Sequence, residues 1–281
     1  MEIEFGILAA LAALVFWGFG DFLIAKSTRK FGVWETLFVI TIIGTLMLTP
    51  FVYNDITQLL SFGNNSFFLM LGVSVVLLVA ALFDFEALKK GKIAVVEPVM
   101  AFEVPISAIL AFVVIIEVLD FISALLIAVL MAGLVMVSLR SIHFSKKVWL
   151  EKGVVLALLG ALFMGTSNFL VGFASRITNP LLANWFIDVF LAVVSLFYLI
   201  RNKRFDNLMK DIVESPRLIL TVSIFDNLAW ISFAIAASLV PVAIAVGISE
   251  SYIALSALLG ILINKEKLLL HQKTGLAFKD L

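Results

Sequence analysis

The residues with the clearest chemical potential are eight carboxylic acids inside stretches that are otherwise almost entirely apolar. They are Asp21, Asp84, Glu86, Glu97, Glu103, Asp188, Asp226 and Glu250. A charged side chain at the bilayer centre costs roughly 2.5–3.5 kcal/mol on insertion scales, so an acid away from an interface is a candidate functional group. No Lys or Arg lies deep in the same stretches. The apolar interior is therefore predicted to be acidic without an opposing base.

Depth along the apolar stretches ranks these acids. Glu103 lies ten residues into its stretch, roughly 15 Å along a helix, and Glu250 lies eight residues in, roughly 12 Å. Burial disfavours a bare charge. We therefore expect one or more of Glu103, Glu250 and Asp21 to exchange a proton or a cation against a substrate. Asp188 and Asp226 are each seven or eight residues in, and either is a site member or a buried hydrogen-bond partner.

The segment VEPVMAFEVPI at 96–106 has the features of a helix wall that opens toward a wet pocket. Pro98 and Pro105 each remove a backbone donor and free a carbonyl, which water, a ligand or a neighbouring helix can satisfy but lipid cannot. Aromatic side chains would complete such a pocket and give cation–π contact to an amine. The aromatic residues expected in its wall are Trp17, Phe102, Trp230 and Tyr252.

The composition places these acids in a membrane protein. Of 281 residues, 63% are hydrophobic and 14% are charged, and the mean hydropathy is +1.15, whereas soluble domains are about half apolar and a quarter charged. A helix needs about 20 mostly apolar residues to cross a bilayer. That length predicts an all-α polytopic protein with nine transmembrane helices, near 5–25, 34–53, 66–88, 93–116, 121–139, 153–175, 181–200, 218–237 and 242–263.

Several classes of site and partner are not expected. The chain has no cysteine, and His143 and His271 both fall in polar links, so we expect no disulfide, no metal site on paired histidines and no cofactor. The formal net charge is zero, so nucleic acid is not an expected partner. The expected partners are the lipid bilayer and a small-molecule substrate.

The distribution of basic residues predicts the orientation. Nineteen of the 20 Lys and Arg residues lie in links after odd-numbered predicted spans or in the C-terminal tail, and Arg176 alone lies on the other side. Basic loops face the cytoplasm by the positive-inside rule. The sequence therefore predicts a cell-membrane protein whose N-terminus is outside.

Two parts of the chain repeat with nearly the same offset, 147 and 149 residues. The matches are LVFWGFGDFLIA at 14–25 with ALFMGTSNFLVG at 161–172, and ISAILAFVVIIEVLD at 106–120 with LSALLGILINKEKLL at 255–269. They place Asn168 opposite Asp21 and Glu266 opposite Glu117. Because five predicted spans separate the copies, the second copy is expected to be inverted across the bilayer.

The repeat carries a resemblance to a known family. The Trp17-Gly18 pair, Lys26, the ALKKGKIAVVEP link, and the helix ends VVIIEVL and GILINKEKL resemble EamA-type members of the drug/metabolite transporter superfamily over nearly the whole chain. The resemblance implies two inverted five-helix repeats, a central cavity and secondary active transport of a small organic solute by alternating access. The chain ends in HQKTGLAFKDL where a tenth span would begin. We therefore expect repeats at 1–140 and 141–281, the second incomplete.

The pocket predicted from the acids restricts the substrate class. A dianionic substrate would need Lys or Arg in the cavity, so the expected substrate is neutral, zwitterionic or cationic. Proton or sodium coupling, import or export, and the oligomeric state stay open at this point.

Two rival functions remain. Gly18-Phe19-Gly20-Asp21 spells the GxGD motif of intramembrane aspartyl proteases, with Asp84 or Asp226 as a possible second acid. The duplicate helix has Asn168 in place of Asp21, which favours repeat architecture over a protease. The other rival is a truncated, non-transporting membrane protein, which the absent tenth span would favour.

Four acids near the predicted span ends have simpler interpretations. Glu97 lies only four residues into its span, so it is either interfacial or in the pocket. Asp84 and Glu86 lie near a basic link and are expected to be surface ion-pair partners. Glu117 ends its span and is expected to anchor or pair at the interface.

Overall fold

The computed structural model describes residues 2–56, 64–117, 125 and 152–262, and all regular structure in those ranges is α-helical. Six of the helices are long and apolar enough to cross a bilayer, so the protein is an all-helical, multi-pass membrane protein. In chain order the helices are α1 (Glu2–Lys30), α2 (Val33–Val52), α3 (Asn64–Lys90), α4 (Ile93–Met100), α5 (Glu103–Ile115), α6 (Lys152–Ile177), α7 (Pro180–Arg201), α8 (Phe205–Glu214), α9 (Pro216–Leu239), α10 (Val242–Ser249) and α11 (Tyr252–Leu262).

Six predicted spans coincide with α1, α2, α3, α6, α7 and α9. The predicted span at 121–139 lies outside the described residues except for residue 125, and so does everything after 262. The count of nine spans and the absence of a tenth therefore stay predictions. The short helix α8 was not predicted, because a charged ten-residue segment carries no spanning signal; it packs Leu208 into a small apolar cluster.

The two remaining predicted spans are broken near their middles, although continuous helices were expected. The span at 93–116 is divided into α4 and α5 at residues 101–102, and the span at 242–263 is divided into α10 and α11 at residues 250–251. The breaks are 149 residues apart, which is the offset of the sequence repeat. Short tight turns inside helices often mark functional hinges.

The first break has a cause in the sequence. The Phe102 N–H donates to the Val99 carbonyl at 3.3 Å, and the Val104 N–H donates to the Ala101 carbonyl at 3.3 Å. Both bonds span three residues, so the helix is locally tightened. Pro105 has no N–H with which to restore the four-residue bond to Ala101.

The second break has the same hydrogen bonds without a proline. The Ser251 N–H donates to the Ile248 carbonyl and the Ile253 N–H donates to the Glu250 carbonyl, both at 3.2 Å. The Ser251 hydroxyl also donates to the Gly247 carbonyl at 3.1 Å. A serine that bonds back to its own helix tends to bend that helix, so this hydroxyl contributes to the break.

Long helices from the two sequence copies pack on each other in matched pairs. Helix α1 packs along α9, α6 packs along α3, and α2 packs along α7. The broken helices follow the same pattern, because α4 packs on α11 while α10 packs on α5. If each helix is replaced by its counterpart in the other copy, the same set of helix pairs results.

Arg176, the one basic residue outside the predicted cytoplasmic links, lies at the junction of three helices. Its Nε donates to the Ala237 carbonyl at 2.8 Å and its Nη2 donates to the Val240 carbonyl at 2.7 Å. Its guanidinium also pairs with Glu117 at 2.9 Å, as expected for an acid that pairs at its helix end. Arg176 therefore ties α6 to the end of α9 and to the chain after α5.

Arg29 makes the equivalent contacts in the first copy. Its Nη2 donates to the carbonyls of Leu88 at 3.0 Å and Gly91 at 2.6 Å. Arg29 precedes Arg176 by 147 residues, and the two acceptors precede those of Arg176 by 149 residues. Each copy thus ties the end of its first long helix to the end of its third long helix.

Candidate membrane-embedded binding site

A central cavity that is partly open to solvent lies between the long helices and the two breaks. All seven residues predicted for the site line it, namely Trp17, Asp21, Glu103, Asp188, Asp226, Glu250 and Tyr252. Their role in binding stays a prediction. Trp230 also lines the cavity, whereas Phe102, which was expected there, is not in its wall.

The cavity wall is acidic. Six carboxylic acids line it, and none of the described residues in its wall is Lys, Arg or His. These acids come from the breaks and from four long helices, so no single helix could have assembled them. Charges in such an interior interact more strongly than in water. The arrangement favours bound protons or cations and disfavours anions.

Glu103 and Glu250 meet at the two helix breaks. Glu103 begins α5, Glu250 directly follows α10, and each is 1% exposed. The two carboxyl groups are in contact with each other. Asn168 of α6 bridges them, because its Nδ2 donates to Glu250 Oε1 at 2.9 Å and to Glu103 Oε2 at 3.4 Å. The other carboxyl oxygens, Glu103 Oε1 and Glu250 Oε2, are buried without a hydrogen-bond partner.

Asp21 lines the neighbouring part of the cavity. Its carboxyl is hydrogen-bonded to the Tyr252 hydroxyl and to the Glu97 carboxyl. Glu97 is 1% exposed and accepts a hydrogen bond from the Ser256 hydroxyl at 3.0 Å. Glu97 is therefore a buried residue beside the cavity and not an interfacial one.

Asp84 is buried, and the expectation of a surface ion pair is wrong for it. It lines the cavity and faces Asp21 and Asp226. Glu86, two residues later, points the other way and pairs with Lys90, as expected. The two acids differ because residues two apart on a helix lie on different faces.

An aromatic cluster borders the Asp21 part of the cavity. The Trp17 ring centroid lies 5.1 Å from that of Trp230, 5.4 Å from that of Phe233 and 5.7 Å from that of Tyr252. The Trp17 and Trp230 rings are nearly perpendicular, at 87°. Rings next to carboxylates can receive an organic ammonium group by cation–π contact.

Asp188 lies where α7 meets α2. A Cβ atom added at Gly44 of α2 would collide with the Asp188 carboxyl and the Asn227 amide, so this glycine makes room for both. Asn227 is held in place, since its Nδ2 donates to the Ile40 carbonyl at 3.0 Å and to the Ser223 carbonyl at 2.8 Å. Asp226 lines the cavity near Asp21.

Three neutral polar residues of the cavity wall, Thr41, Asn168 and Asn184, were not predicted as site residues. Neutral polar side chains cost less than charges in a membrane, so their presence in a span is a weaker signal. The repeat alignment offered the best sequence signal for Asn168, because it placed that residue opposite a predicted site acid.

The model of the EamA-like transporter family matches the chain twice, at residues 4–139 and at residues 151–278. Together the matches span almost the whole chain. No curated protein matches the chain in sequence.

Proposed function

The chain belongs to the EamA-like transporter family, and on that basis we propose that it is a secondary active transporter of a small organic solute. The substrate is neutral, zwitterionic or cationic. Transport proceeds by alternating access and is coupled to the exchange of a proton or a cation at carboxylates within the membrane. The protein is a transporter and not an enzyme, and it needs no cofactor.

The observation that carries this proposal is the acidic cavity at the two helix breaks. Six carboxylic acids line it, while the described residues of its wall include no basic side chain. Transporters commonly place substrate and ion sites near the bilayer midplane on discontinuous helices. A dianionic solute would meet only repulsion here, whereas an ammonium group would find acids and aromatic rings.

Alternating access requires two halves that can move against each other, and three features support an inverted repeat. The breaks, the helix pairings and the arginine contacts of α1 and α6 all correspond between the sequence copies at offsets of 147 or 149 residues. We propose that the repeats extend over 1–140 and 141–281. With an odd number of spans between the two repeats, the contacts of Arg29 and the contacts of Arg176 would lie at opposite faces of the membrane.

The charge distribution supports placement in the cell membrane with the basic links in the cytoplasm and the N-terminus outside. Arg176, the single basic residue outside these links, donates hydrogen bonds to two carbonyls and forms an ion pair with Glu117. A basic residue with a structural role is a weaker topology signal than one in an open loop. The orientation can be tested by the accessibility of single cysteines introduced at Asp55 and Lys203, since the wild-type chain has no cysteine.

The protease alternative is not favoured. Asp21 lies close enough to Asp84 and Asp226 for their charges to interact, but the Asp21 carboxyl is hydrogen-bonded to Tyr252 and Glu97. The family match also points to transport. A membrane protein that does not transport is the remaining alternative, and the experiments below distinguish it from a transporter.

The first test is ligand-induced thermal stabilisation of the detergent-purified protein. The panel contains amino acids, amines, sugars, nucleosides, lipophilic cations and sodium, each at two pH values. A ligand at about 100 times its dissociation constant stabilises the folded state by roughly 2.7 kcal/mol. We expect a pH-dependent shift with an amine or a zwitterion.

Transport is then measured with that ligand in proteoliposomes. Uptake or counterflow with the wild type is the expected result, and Glu103→Gln or Glu250→Gln should abolish its pH dependence. Cooperative melting with no response across the panel would favour the non-transporting alternative. Full pH-dependent transport by both variants would remove these acids from the coupling mechanism.

A further inference from the structure

The two sequence copies build the same contact twice with different chemistry. Asp21 and Asn168 occupy equivalent positions, 147 residues apart, and Glu103 and Tyr252 occupy equivalent positions, 149 residues apart. Asp21 meets Tyr252, and Asn168 donates to Glu103 at 3.4 Å. The third residue of the Asn168 group, Glu250, has the small Ala101 as its counterpart. The contact between the Asp21 carboxyl and the Tyr252 phenol thus corresponds to the contact of the Asn168 amide with the Glu103 and Glu250 carboxyls.

The group of Asn168, Glu103 and Glu250, called the amide-diacid site below, brings two buried carboxyl groups together without an opposing basic group among the described residues of the cavity wall. All three residues are 1% exposed. The Asn168 amide supplies two N–H groups, one to each carboxyl, and Asn168 Oδ1 has no partner of its own. With Glu103 Oε1 and Glu250 Oε2, three buried oxygens are left unsatisfied at one place.

The charges around the amide-diacid site do not compensate it. The titratable groups that face it are Asp21 from α1, Asp84 from α3, Glu97 from α4 and Tyr252 from α11. All are acids or a neutral phenol. Adjacent carboxylates at low dielectric cannot both stay bare, and such pairs hold one positive charge between them.

The Asp21 side suits a different ligand. It has aromatic walls in Trp17, Trp230 and Tyr252, and the Tyr252 hydroxyl is a neutral donor to Asp21. An organic ammonium group can there contact rings and a carboxylate together. The amide-diacid site offers only oxygen atoms and one amide, which suit a small inorganic cation or a proton.

We propose that Glu103, Glu250 and Asn168 form a binding site for one monovalent cation, a proton or Na⁺, that is distinct from an ammonium subsite at Asp21 and Trp17. A divalent ion is a poorer fit, because Ca²⁺ and Mg²⁺ need six or more oxygen ligands, whereas two carboxylates meet here and the described ranges hold no cluster of three or more His, Cys, Asp or Glu ligands. The inference rests on the proposed transport function, since it divides coupling ion and substrate between two parts of one cavity. It does not depend on the identity of the substrate.

The test measures cation binding without any substrate. The melting temperature of the purified full-length protein is recorded from pH 5 to 9 in potassium buffer, and against 0–150 mM NaCl at constant ionic strength. Wild type should shift by several degrees with one of these variables. A sodium response assigns Na⁺, and a pH response without a sodium response assigns a proton.

The variants separate the two subsites. Glu103→Gln and Glu250→Gln, which keep the side-chain shape, should lose most of the cation response. Glu86→Gln, which removes a carboxylate that pairs with Lys90 outside the cavity, is the control and should keep that response. Asp21→Asn should weaken the binding of an amine more than it weakens the cation response. The opposite result for Asp21→Asn, or survival of the cation response in both Glu103→Gln and Glu250→Gln, would overturn the proposal.

A second measurement uses wild type and so does not depend on a variant folding. Dicyclohexylcarbodiimide modifies protonated carboxyl groups in apolar surroundings, and mass spectrometry locates the adduct. We expect modification at Glu103 or Glu250 that is suppressed by high pH, and by Na⁺ if Na⁺ is the ligand. Adducts only at other cavity acids would overturn the proposal. A cation response at Glu103 and Glu250 with no transported solute would leave this site standing while the transport function failed.

Discussion

Replacing Gly165 by Ala should separate α6 from the first helix break by a measurable amount. A Cβ atom at this position would lie 2.6 Å from the Glu103 carbonyl oxygen, 2.8 Å from the Ile106 Cβ and 3.0 Å from the Glu103 Cα. Two of these atoms belong to the backbone, so no side-chain rotation can relieve the collision. Relief to an ordinary contact of 3.4 Å requires a shift of about 0.8 Å, since 3.4 minus 2.6 is 0.8.

Overpacking of this kind costs about 1–3 kcal/mol. At roughly 2–4 °C per kcal/mol for a protein of about this size, the melting temperature should fall by roughly 2–12 °C. The shift also strains the bond from the Ser107 hydroxyl to the Gly165 carbonyl, which is 2.6 Å long. It moves Glu103 away from Asn168, whose contact is already 3.4 Å. The cation response of the melting temperature should therefore weaken as well.

Two glycines serve as controls for this measurement in detergent. A Cβ atom at Gly72 of α3 would meet nothing within 4 Å, so Gly72→Ala should melt at or slightly above the wild-type temperature. At Gly18, the repeat counterpart of Gly165, the three nearest atoms to an added Cβ all belong to the Leu255 side chain and none to the backbone, so Gly18→Ala should cost less than Gly165→Ala. Equal melting temperatures for Gly165→Ala and Gly72→Ala would refute the close approach of α5 and α6.

Three further predictions concern the helix contacts and the aromatic wall. Arg176→Gln removes the ion pair to Glu117 and weakens two hydrogen bonds to carbonyls, so it should cost about 2 kcal/mol and lower the melting temperature; the exposed Arg217→Gln is the control, and equal losses in both would contradict the structural role. Gly44→Ala should displace both the Asp188 carboxyl and the hydrogen-bonded Asn227 amide, so it should lower the melting temperature and the substrate affinity together, which melting and ligand titration measure; unchanged affinity would place Asp188 outside the site. Trp17→Leu should weaken binding of an amine ligand about five- to thirtyfold, the equivalent of 1–2 kcal/mol of cation–π contact, with little effect on a neutral ligand; equal losses for both ligands would indicate a packing role.

The depth of an acid in its helix decides how far sequence alone predicts its burial. Asp188 and Asp226 lie well inside long apolar helices, where depth alone restricts them to the protein interior. Asp21, Asp84 and Glu97 each lie five residues from a lysine of a basic link, and there the distance along the chain does not decide whether a side chain faces a loop or the cavity. Helix rotation decides this, and it buried all three residues.

The breaks show a second limit of sequence reasoning. Pro105 indicated an irregularity in the first copy, but the residues around 250 include no proline and were expected to continue the helix. The hydrogen bonds of Ser251 to Gly247 and Ile248 are local, yet their effect depends on packing, since serine is tolerated in many unbroken helices. A hydropathy profile detects the length of a segment and does not detect its bending.

The amino-acid sequence by itself determined the membrane class, the positions of the long spans, the acidic character of the interior and the offset of the repeat. The repeat offset follows from comparing the chain with itself. The other three follow from local composition, because the free energy of transferring a segment into lipid depends on the residues of that segment. The tertiary structure decided that Asn168 bridges Glu103 and Glu250, that Tyr252 meets Asp21, and that Arg176 binds carbonyls of α9 and the link after it. Those contacts join residues 61 to 231 positions apart. They depend on the rotation and crossing of helices from both copies, which only the packing of the whole bundle specifies.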